Sequence, residues 1–233
     1  MQFYRSLQSI KAITFDLDDT LYDNVPVIER MESLLTHWLH QQYPLTMTVT
    51  PEWWQQQKKQ IVQKNPELSH DVTLWRRHYM QQGLRELGYS QVEAELAAQQ
   101  TVAESLRLRS DFSVPSASHH VLKQLAQRVP LIAITNGNVD VERIGLAPYF
   151  QHVLQAGKNG RSKPYPDLFE QAQTLLNLPA SNILHVGDHP ISDVLGALNS
   201  GFMACWFHDK DKQHQMRLLP HIEIQHLESL LLL

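Results

Sequence analysis

A chain of 233 residues is long enough for one large domain, or for a core domain carrying an insertion. A net charge of −4 without any Lys/Arg cluster offers no basic field for nucleic acid and no footprint for a membrane surface. A single cysteine, Cys205, excludes an intrachain disulfide; no apolar stretch approaches the roughly 20 residues of a bilayer span and the first residues lack a signal-peptide core, so a reducing cytoplasm is the expected compartment.

The first predicted strand is K-A-I-T-F-D, residues 11–16, a short apolar run that ends in carboxylates. From about residue 24 to residue 108 strand signals vanish and helical spacing takes over. Val27, Met31, Leu34, Leu35 and Trp38 form one apolar stripe there; Val92, Leu96 and Val102 belong to another. Pro44, Pro51, Pro66, Gly83 and Gly88 divide this block into some four helices. Further apolar runs at 131–135, 182–187 and 202–207 suit buried parallel strands, with a shorter one at 152–155. Helical spacing covers 116–128, 164–177 and 190–200, with Pro164 and Pro190 expected in first turns. Cys205 reads as a small buried hydrophobe, and the terminal L-E-S-L-L-L-L as a last helix docked on the core. This order predicts an α/β fold: a Rossmann-like parallel-sheet core built from 1–23 and 109–233, with an all-helical cap domain inserted at 24–108. Ordinary helices packed around one sheet are the alternative.

Ligands of an open parallel sheet bind at the carboxyl ends of its strands, so the loops there decide the chemistry. They read D-L-D-D-T after the first strand, T-N-G-N after the second and G-D-H-P-I-S-D after a third, with G-R-S-K-P before the helix at 164. Asp16 and Asp18, two apart on extended chain, face the same way about 6.5 Å from each other. One can attack phosphorus while the other reaches the ester oxygen beside it. Asp16, fixed by the strand, is the better nucleophile; Asp18 is the general acid and then the base. Asp19 and Thr20 are expected to cap local backbone N–H groups. Two carboxylates facing a phosphate dianion need a cation, and Mg²⁺ fits an oxygen-only site to which Asp188 adds a ligand. Thr135, Asn136 and Gly137 offer a hydroxyl, an amide and a free turn to phosphate oxygens, while Lys163 neutralises charge on the transferring group. Asp193 holds either the lysine or a metal-bound water, unless it serves only as a first-turn carboxylate.

Together, Asp16-Leu17-Asp18-Asp19-Thr20, Thr135, Lys163 and Gly187-Asp188 with Asp193 resemble the haloacid dehalogenase superfamily phosphatases in order and spacing. The resemblance implies a phosphomonoester hydrolase working through an aspartyl-phosphate on Asp16. It implies Mg²⁺ held by Asp16, Asp188 and the backbone carbonyl of Asp18, and a helical cap between Asp18 and Thr135. Namesake dehalogenases lack an aspartate at the position of Asp18, so its presence favours phosphoryl chemistry. His189-Pro190 departs from the polar residue many members carry there. F-Y-R, F-D-L-D-D-T-L-Y-D-N, H-D-V-T-L-W-R (70–76), A-I-T-N-G-N and G-R-S-K-P further resemble the flavin mononucleotide and ribitylaminopyrimidine phosphate phosphatases of riboflavin biosynthesis.

The leaving group is expected to be read by the cap, whose Trp38, Trp53, Trp54, Trp75 and Tyr79 either stack a flat ring or form its core. Trp75 and Arg76 are the substrate-binding candidates; Arg77 and His78 are further polar contacts, and Tyr22 and Asn24 flank the entrance. The 13 histidines show no metal-ligand spacing and read as surface residues. The expected partner is a small phosphorylated metabolite, with neither nucleic acid nor membrane, and the chain a monomer or homodimer. A broad-specificity sugar-phosphate phosphatase is the runner-up. A phosphomutase and a non-catalytic binding module follow behind it.

Overall fold

The structure is a computed structural model and describes residues 1–208 and 218–233. Its strands are β1 (Gln2–Phe3), β2 (Ala12–Phe15), β3 (Leu131–Thr135), β4 (His152–Gln155), β5 (Ile183–Gly187), β6 (Met203–Phe207) and β7 (Ile222–Ile224). They form one sheet in the order β1-β7-β6-β5-β2-β3-β4, parallel throughout except where β1 meets β7. A parallel sheet is covered on both faces, which is why β2, β3 and β5 read as unbroken apolar runs and are buried along their whole length. Central β2 takes β3 on one side, with Phe15 opposite Ala133, and β5 on the other, with Phe15 opposite Val186. That register brings the carboxyl ends of three strands level, so the residues that follow them emerge together.

The helices are α1 (Val25–Gln42), α2 (Pro51–Lys64), α3 (Val72–Glu86), α4 (Gln91–Arg109), α5 (Ser116–Ala126), α6 (Asp167–Leu176) and the short α7 (Gly196–Asn199). By internal contacts the chain forms two compact units. One is Met1–Asn24 with Ser113–Gly137 and Val141–Leu233; the other is Val25–Phe112 with Asn138–Asp140. The first is the sheet with α5, α6 and α7, and its core gathers Ile132, Ile134, Leu168, Phe169, Ile183 and Phe202. The second is helical, with its own core from Met31, Leu35, Ile61, Tyr79, Met80, Leu84 and Ala97. The α/β fold with a helical cap is therefore present as expected.

Local signals set the helical unit's boundaries. Pro51 opens α2 behind Thr50, whose hydroxyl oxygen accepts the Trp53 N–H at 3.4 Å. Asp71 caps α3 by accepting from the N–H groups of Thr73 and Leu74 at 3.0 and 2.8 Å. Ser90 and Glu93 open α4 with a reciprocal capping box. Asn138 and Asp140 belong here because Asn138 donates to the Thr73 hydroxyl and the Asp140 N–H to Ser110, both at 3.0 Å.

Several expectations fail for identifiable reasons. On α4, Val92 and Leu96 are exposed, and the buried face runs through small residues, Ala94, Ala97, Ala98, Thr101 and Ser105, to Leu108 and Arg109 in the last turn; the small ones let α3 approach closely. Leu34 is likewise exposed, while Leu39 is buried in its place. Helix α6 starts at Asp167, so Pro164 precedes it in a turn; the backbone of Lys163 is held there by the Asn136 side chain. The segment 190–200 begins as a π-turn, Pro190–Leu195, before α7. The C-terminal Leu227–Leu232 is a 3₁₀ segment rather than an α-helix, docked beside α5 through Leu227 and Leu230. Strands β1, at one edge of the sheet, and β7 beside it, two and three residues long, carry too little pattern to be read from sequence.

Gly83 does not punctuate but sits inside α3, where a Cβ would lie 2.5 Å from the Trp54 ring and 3.2 Å from that of Trp53. Alanine normally gains about 1 kcal/mol over glycine in a helix. Here overpacking, at about 1–3 kcal/mol, outweighs the gain. Gly83→Ala should therefore lower stability by about 1 kcal/mol, read as a reduced urea midpoint at unchanged m; an increase would show that the ring moves without cost.

Candidate active site

Asp16 follows β2 directly, and Lys163 reaches it from the turn before α6. The Lys163 ammonium donates to Asp16 Oδ1 at 2.7 Å and to Asp193 Oδ1 at 2.6 Å, with only 1 % of its side chain exposed. Its backbone is clamped by Asn136, which accepts the Lys163 N–H at 2.7 Å and donates to its carbonyl at 3.0 Å. The Asn136 amide is thus committed first to holding Lys163. Thr135 Oγ1 accepts the Gly137 N–H at 2.9 Å, so its own proton remains for an incoming oxygen. At Gly137 a Cβ would fall 2.4 Å from Asp18 Oδ2, so glycine is required there for space. At Gly187 a Cβ would fall 2.3 Å from Asp193 Cγ, which lets that side chain lie against the end of β5.

The D-L-D-D-T turn divides its carboxylates as their alternation suggests. Asp18 accepts the Tyr22 hydroxyl at 2.6 Å. Asp19, in the left-handed region with φ of 58°, accepts the Asn24 N–H at 3.1 Å. Thr20 does not cap backbone; its hydroxyl donates to Asp188 Oδ1 at 3.4 Å. Trp206, on the neighbouring strand, donates its indole N–H to the Asp188 carbonyl at 2.7 Å. One cavity of about 160 Å³ is lined by Asp16, Asp18, Thr135, Asn136, Gly137, Lys163, Asp188 and Asp193. The remaining candidates, Trp75 and Arg76, stand on α3 of the helical unit. The Trp75 indole donates to the Lys58 carbonyl at 3.0 Å and its ring meets Tyr79 edge-on at 5.8 Å, so this side chain is part of that unit's packing.

Sequence reading missed His185 and the capping role of His189. His185 is no surface residue: it is fully buried on β5, its Nδ1 2.8 Å from Thr14 Oγ1 and its Nε2 3.2 Å from Asp193 Oδ1. A lone polar residue inside the apolar run I-L-H-V-G was the available signal, since a buried strand tolerates one only with a partner. His189 Nδ1 accepts the N–H groups of Ile191 and Ser192 at 3.2 and 3.1 Å, so it replaces the usual polar residue as a cap.

Burial pushes the Asp16 carboxyl well above the ordinary range; Lys163 opposes this, and the charges of Asp193 and Asp18 reinforce it. Burial acts on Asp193 the same way, but Lys163 and the His185 hydrogen bond outweigh it and hold that carboxyl below the ordinary range. Lys163 is raised, the two carboxylates overcoming its desolvation. Burial depresses His185 despite Asp193, so the imidazole is neutral, with Nε2–H toward the carboxylate. Oxygens of Asp16, Asp188 and Asp193 lie within 4.8 Å of one another. Asp193 Oδ1 already accepts from Lys163 and His185, and Oδ2 accepts the His189 N–H at 2.9 Å. An oxygen-only donor set, with more carboxylates than the one lysine neutralises, suits a hard divalent cation.

Residues 10–201 match the model of the haloacid dehalogenase-like hydrolases. The chain belongs to that family. It is 44 % identical, over 99 % of its length and 98 % of the relative's, to the 5-amino-6-(5-phospho-D-ribitylamino)uracil phosphatase YigB of Escherichia coli. A glyceraldehyde 3-phosphate phosphatase of Pyrococcus abyssi is 27 % identical over 85 % of this chain and 81 % of its own. Among solved structures, a 2-haloacid dehalogenase of Pseudomonas syringae is superposable at a TM-score of 0.91 with 36 % identity, covering 95 % of this chain and 96 % of that one. Within this hydrolase family the enzyme is a phosphatase.

The hydrogen bonds of Asp193 set an acid limit on stability. Its folded pKa lies below the unfolded value of about 3.9, so its contribution is fully present above about pH 4. It is lost as pH falls through the folded pKa. Asp193→Asn should cost about 3 kcal/mol at pH 7, as expected for breaking a buried pair. The gap from the wild type should shrink below pH 4 in denaturant titrations; a gap independent of pH would rule out the ion pair as its source.

Proposed function

We propose that this enzyme hydrolyses the phosphomonoester of a small phosphorylated metabolite through an aspartyl-phosphate on Asp16. The observation that carries the reading is the pairing of Asp16 with buried Lys163 while Asp18, two residues on, shares the cavity and is oriented by Tyr22. Asp16, Asp188 and the backbone carbonyl of Asp18 are the proposed Mg²⁺ ligands, with Asp193 reserved for Lys163, His185 and the His189 N–H. When bound, the ion neutralises the carboxylates facing the phosphate dianion and polarises the phosphoryl oxygens.

The free oxygen of Asp16 attacks phosphorus as Asp18 delivers a proton to the departing ester oxygen. The Thr135 hydroxyl and the Asn136–Gly137 turn meet the phosphoryl oxygens, and Lys163 balances the charge that develops there. With the alcohol gone, Asp18 takes a proton from water, which attacks phosphorus and returns Asp16 as a carboxylate with release of inorganic phosphate.

For the substrate we infer the ribitylaminopyrimidine phosphate, supported by the full-length similarity to the Escherichia coli enzyme of that name. Flavin mononucleotide is second, from the motif pattern, and a broad sugar-phosphate range is the fallback. Recognition of the leaving group is assigned to the helical unit, with Arg76 and Trp75 as candidates. The likeness to a 2-haloacid dehalogenase supplies a second reading. Displacement of halide needs no acid at the leaving group, however, and Asp18 would then stand without a task.

Phosphate release with Mg²⁺ should be compared across the ribitylaminopyrimidine phosphate, flavin mononucleotide and sugar phosphates, with 2-chloropropionate as the halide control. A hundredfold preference in kcat/KM corresponds to about 2.7 kcal/mol of differential transition-state binding. Chloride release without phosphate release would overturn the reading. Asp16→Asn should lower kcat by at least about a thousandfold while the fold persists. A radiolabelled burst bound to wild-type protein and absent from this variant would report the covalent step; its absence from both, under rapid quench, would remove it.

A further inference from the structure

The helical unit contains a pocket of about 180 Å³ among α1, α2 and α3. Leu35, Leu39 and Met80 give it an apolar lining, and Trp54 and Tyr79, 6.4 Å apart at 66°, supply aromatic walls. Two cations, Lys58 and Arg76, share it with one carboxylate, Glu32. Lys58 Nζ stands 4.0 Å from Glu32, whose side chain is 56 % exposed, and 5.4 Å over the Tyr79 ring. Arg76 is half-buried, and its hydrogen-bond acceptors are poor: the Met31 thioether at 3.7 Å and the Tyr79 hydroxyl. Among the described residues no carboxylate pairs with its guanidinium.

A guanidinium carries five donors, and removing it from water is costly unless they are paired. Two cations against one half-solvated carboxylate also leave a surplus positive charge. Lys58 shows the effect: burial depresses its pKa, Glu32 pulls it up, and Arg76 presses it down again. An anion between the two side chains would satisfy both. Guanidinium geometry matches a carboxylate or phosphate with two parallel hydrogen bonds, and the ammonium adds a point charge. Size narrows the occupant further. A cavity of about 150 Å³ accommodates benzene, so about 180 Å³ has room for a single ring with a small charged substituent.

We propose that this pocket binds a small organic anion bearing one flat ring, its carboxylate or phosphate held by Arg76 and Lys58 and its ring by Trp54 and Tyr79. No residue of the Asp16 cavity lines it, but Arg76 is also the leaving-group candidate, so the inference deepens the phosphatase reading and rests on it only for the role of the occupant.

The test is calorimetric titration of the full chain with benzoate, and with benzamide as the neutral isostere. Benzoate should bind at least tenfold more tightly. Arg76→Gln and Lys58→Gln should each weaken it tenfold or more, Arg76→Lys should retain part of the affinity, and Asp16→Asn should leave it unchanged. Circular dichroism separates these losses from unfolding, and Lys58→Gln carries the test alone if Arg76→Gln does not fold. Equal affinity for benzamide would overturn the proposal. So would benzoate binding that survives Arg76→Gln but disappears with Asp16→Asn, which would place the anion in the catalytic cavity.

Discussion

A lysine ammonium almost fully withdrawn from water, between the carboxylates of Asp16 and Asp193, is the constraint on which the α/β unit depends. An isolated buried charge is untenable, so the fold must bring acceptors to it from separate segments. It does so with the end of β2, the turn before α6 and the π-turn after β5. Each partner is held in turn: Asn136 clamps the Lys163 backbone, His185 and the His189 N–H fix Asp193, and Gly187 leaves the space in which Asp193 lies. Strand register, two glycines and a buried histidine thus serve one ion-pair arrangement.

That arrangement also separates two carboxylates that are alike in sequence. Asp193 receives three hydrogen bonds and lies below the ordinary carboxylate range, whereas Asp16 has the lysine on one oxygen only and lies above it. One is a fixed counter-charge. The other is an under-satisfied oxygen at the cavity, which is what a proposed nucleophile beside a divalent cation requires. Both are buried, but at Asp16 the charges of Asp193 and Asp18 add to the cost of burial, whereas at Asp193 the charge of Lys163 and the His185 hydrogen bond outweigh it.

The helical unit distributes its polar groups differently. Most of its aromatic rings are engaged with one another, Trp53 with Trp54, Trp54 and Trp75 with Tyr79, and Trp38 with Tyr43. Rings that meet edge-on in this way build a stable bundle. The polar side chains that the packing leaves over are therefore the ones proposed for ligand recognition. Arg76 and Lys58, which enter one pocket from different helices, are the clearest of these.

The sequence by itself determined the chemistry. D-L-D-D-T, T-N-G-N, G-R-S-K-P and G-D-H-P-I-S-D each end or follow an apolar run, and strand periodicity is enough to send such loops to one edge of a parallel sheet. It also determined the four cap helices, because prolines, Asp71 and the Ser90–Glu93 box are local signals that act within a turn of where they stand. Tertiary structure decided what depends on contact across the chain. Only packing shows that α4 buries its alanines and leaves Val92 and Leu96 exposed, or that Gly83 makes room for Trp54. The tasks of Asn136 and Thr20 belong to the same class, since their partners lie 27 and 168 residues away. Periodicity records which face a residue prefers. Which oxygen a lysine or a histidine will find there is fixed only when distant segments meet.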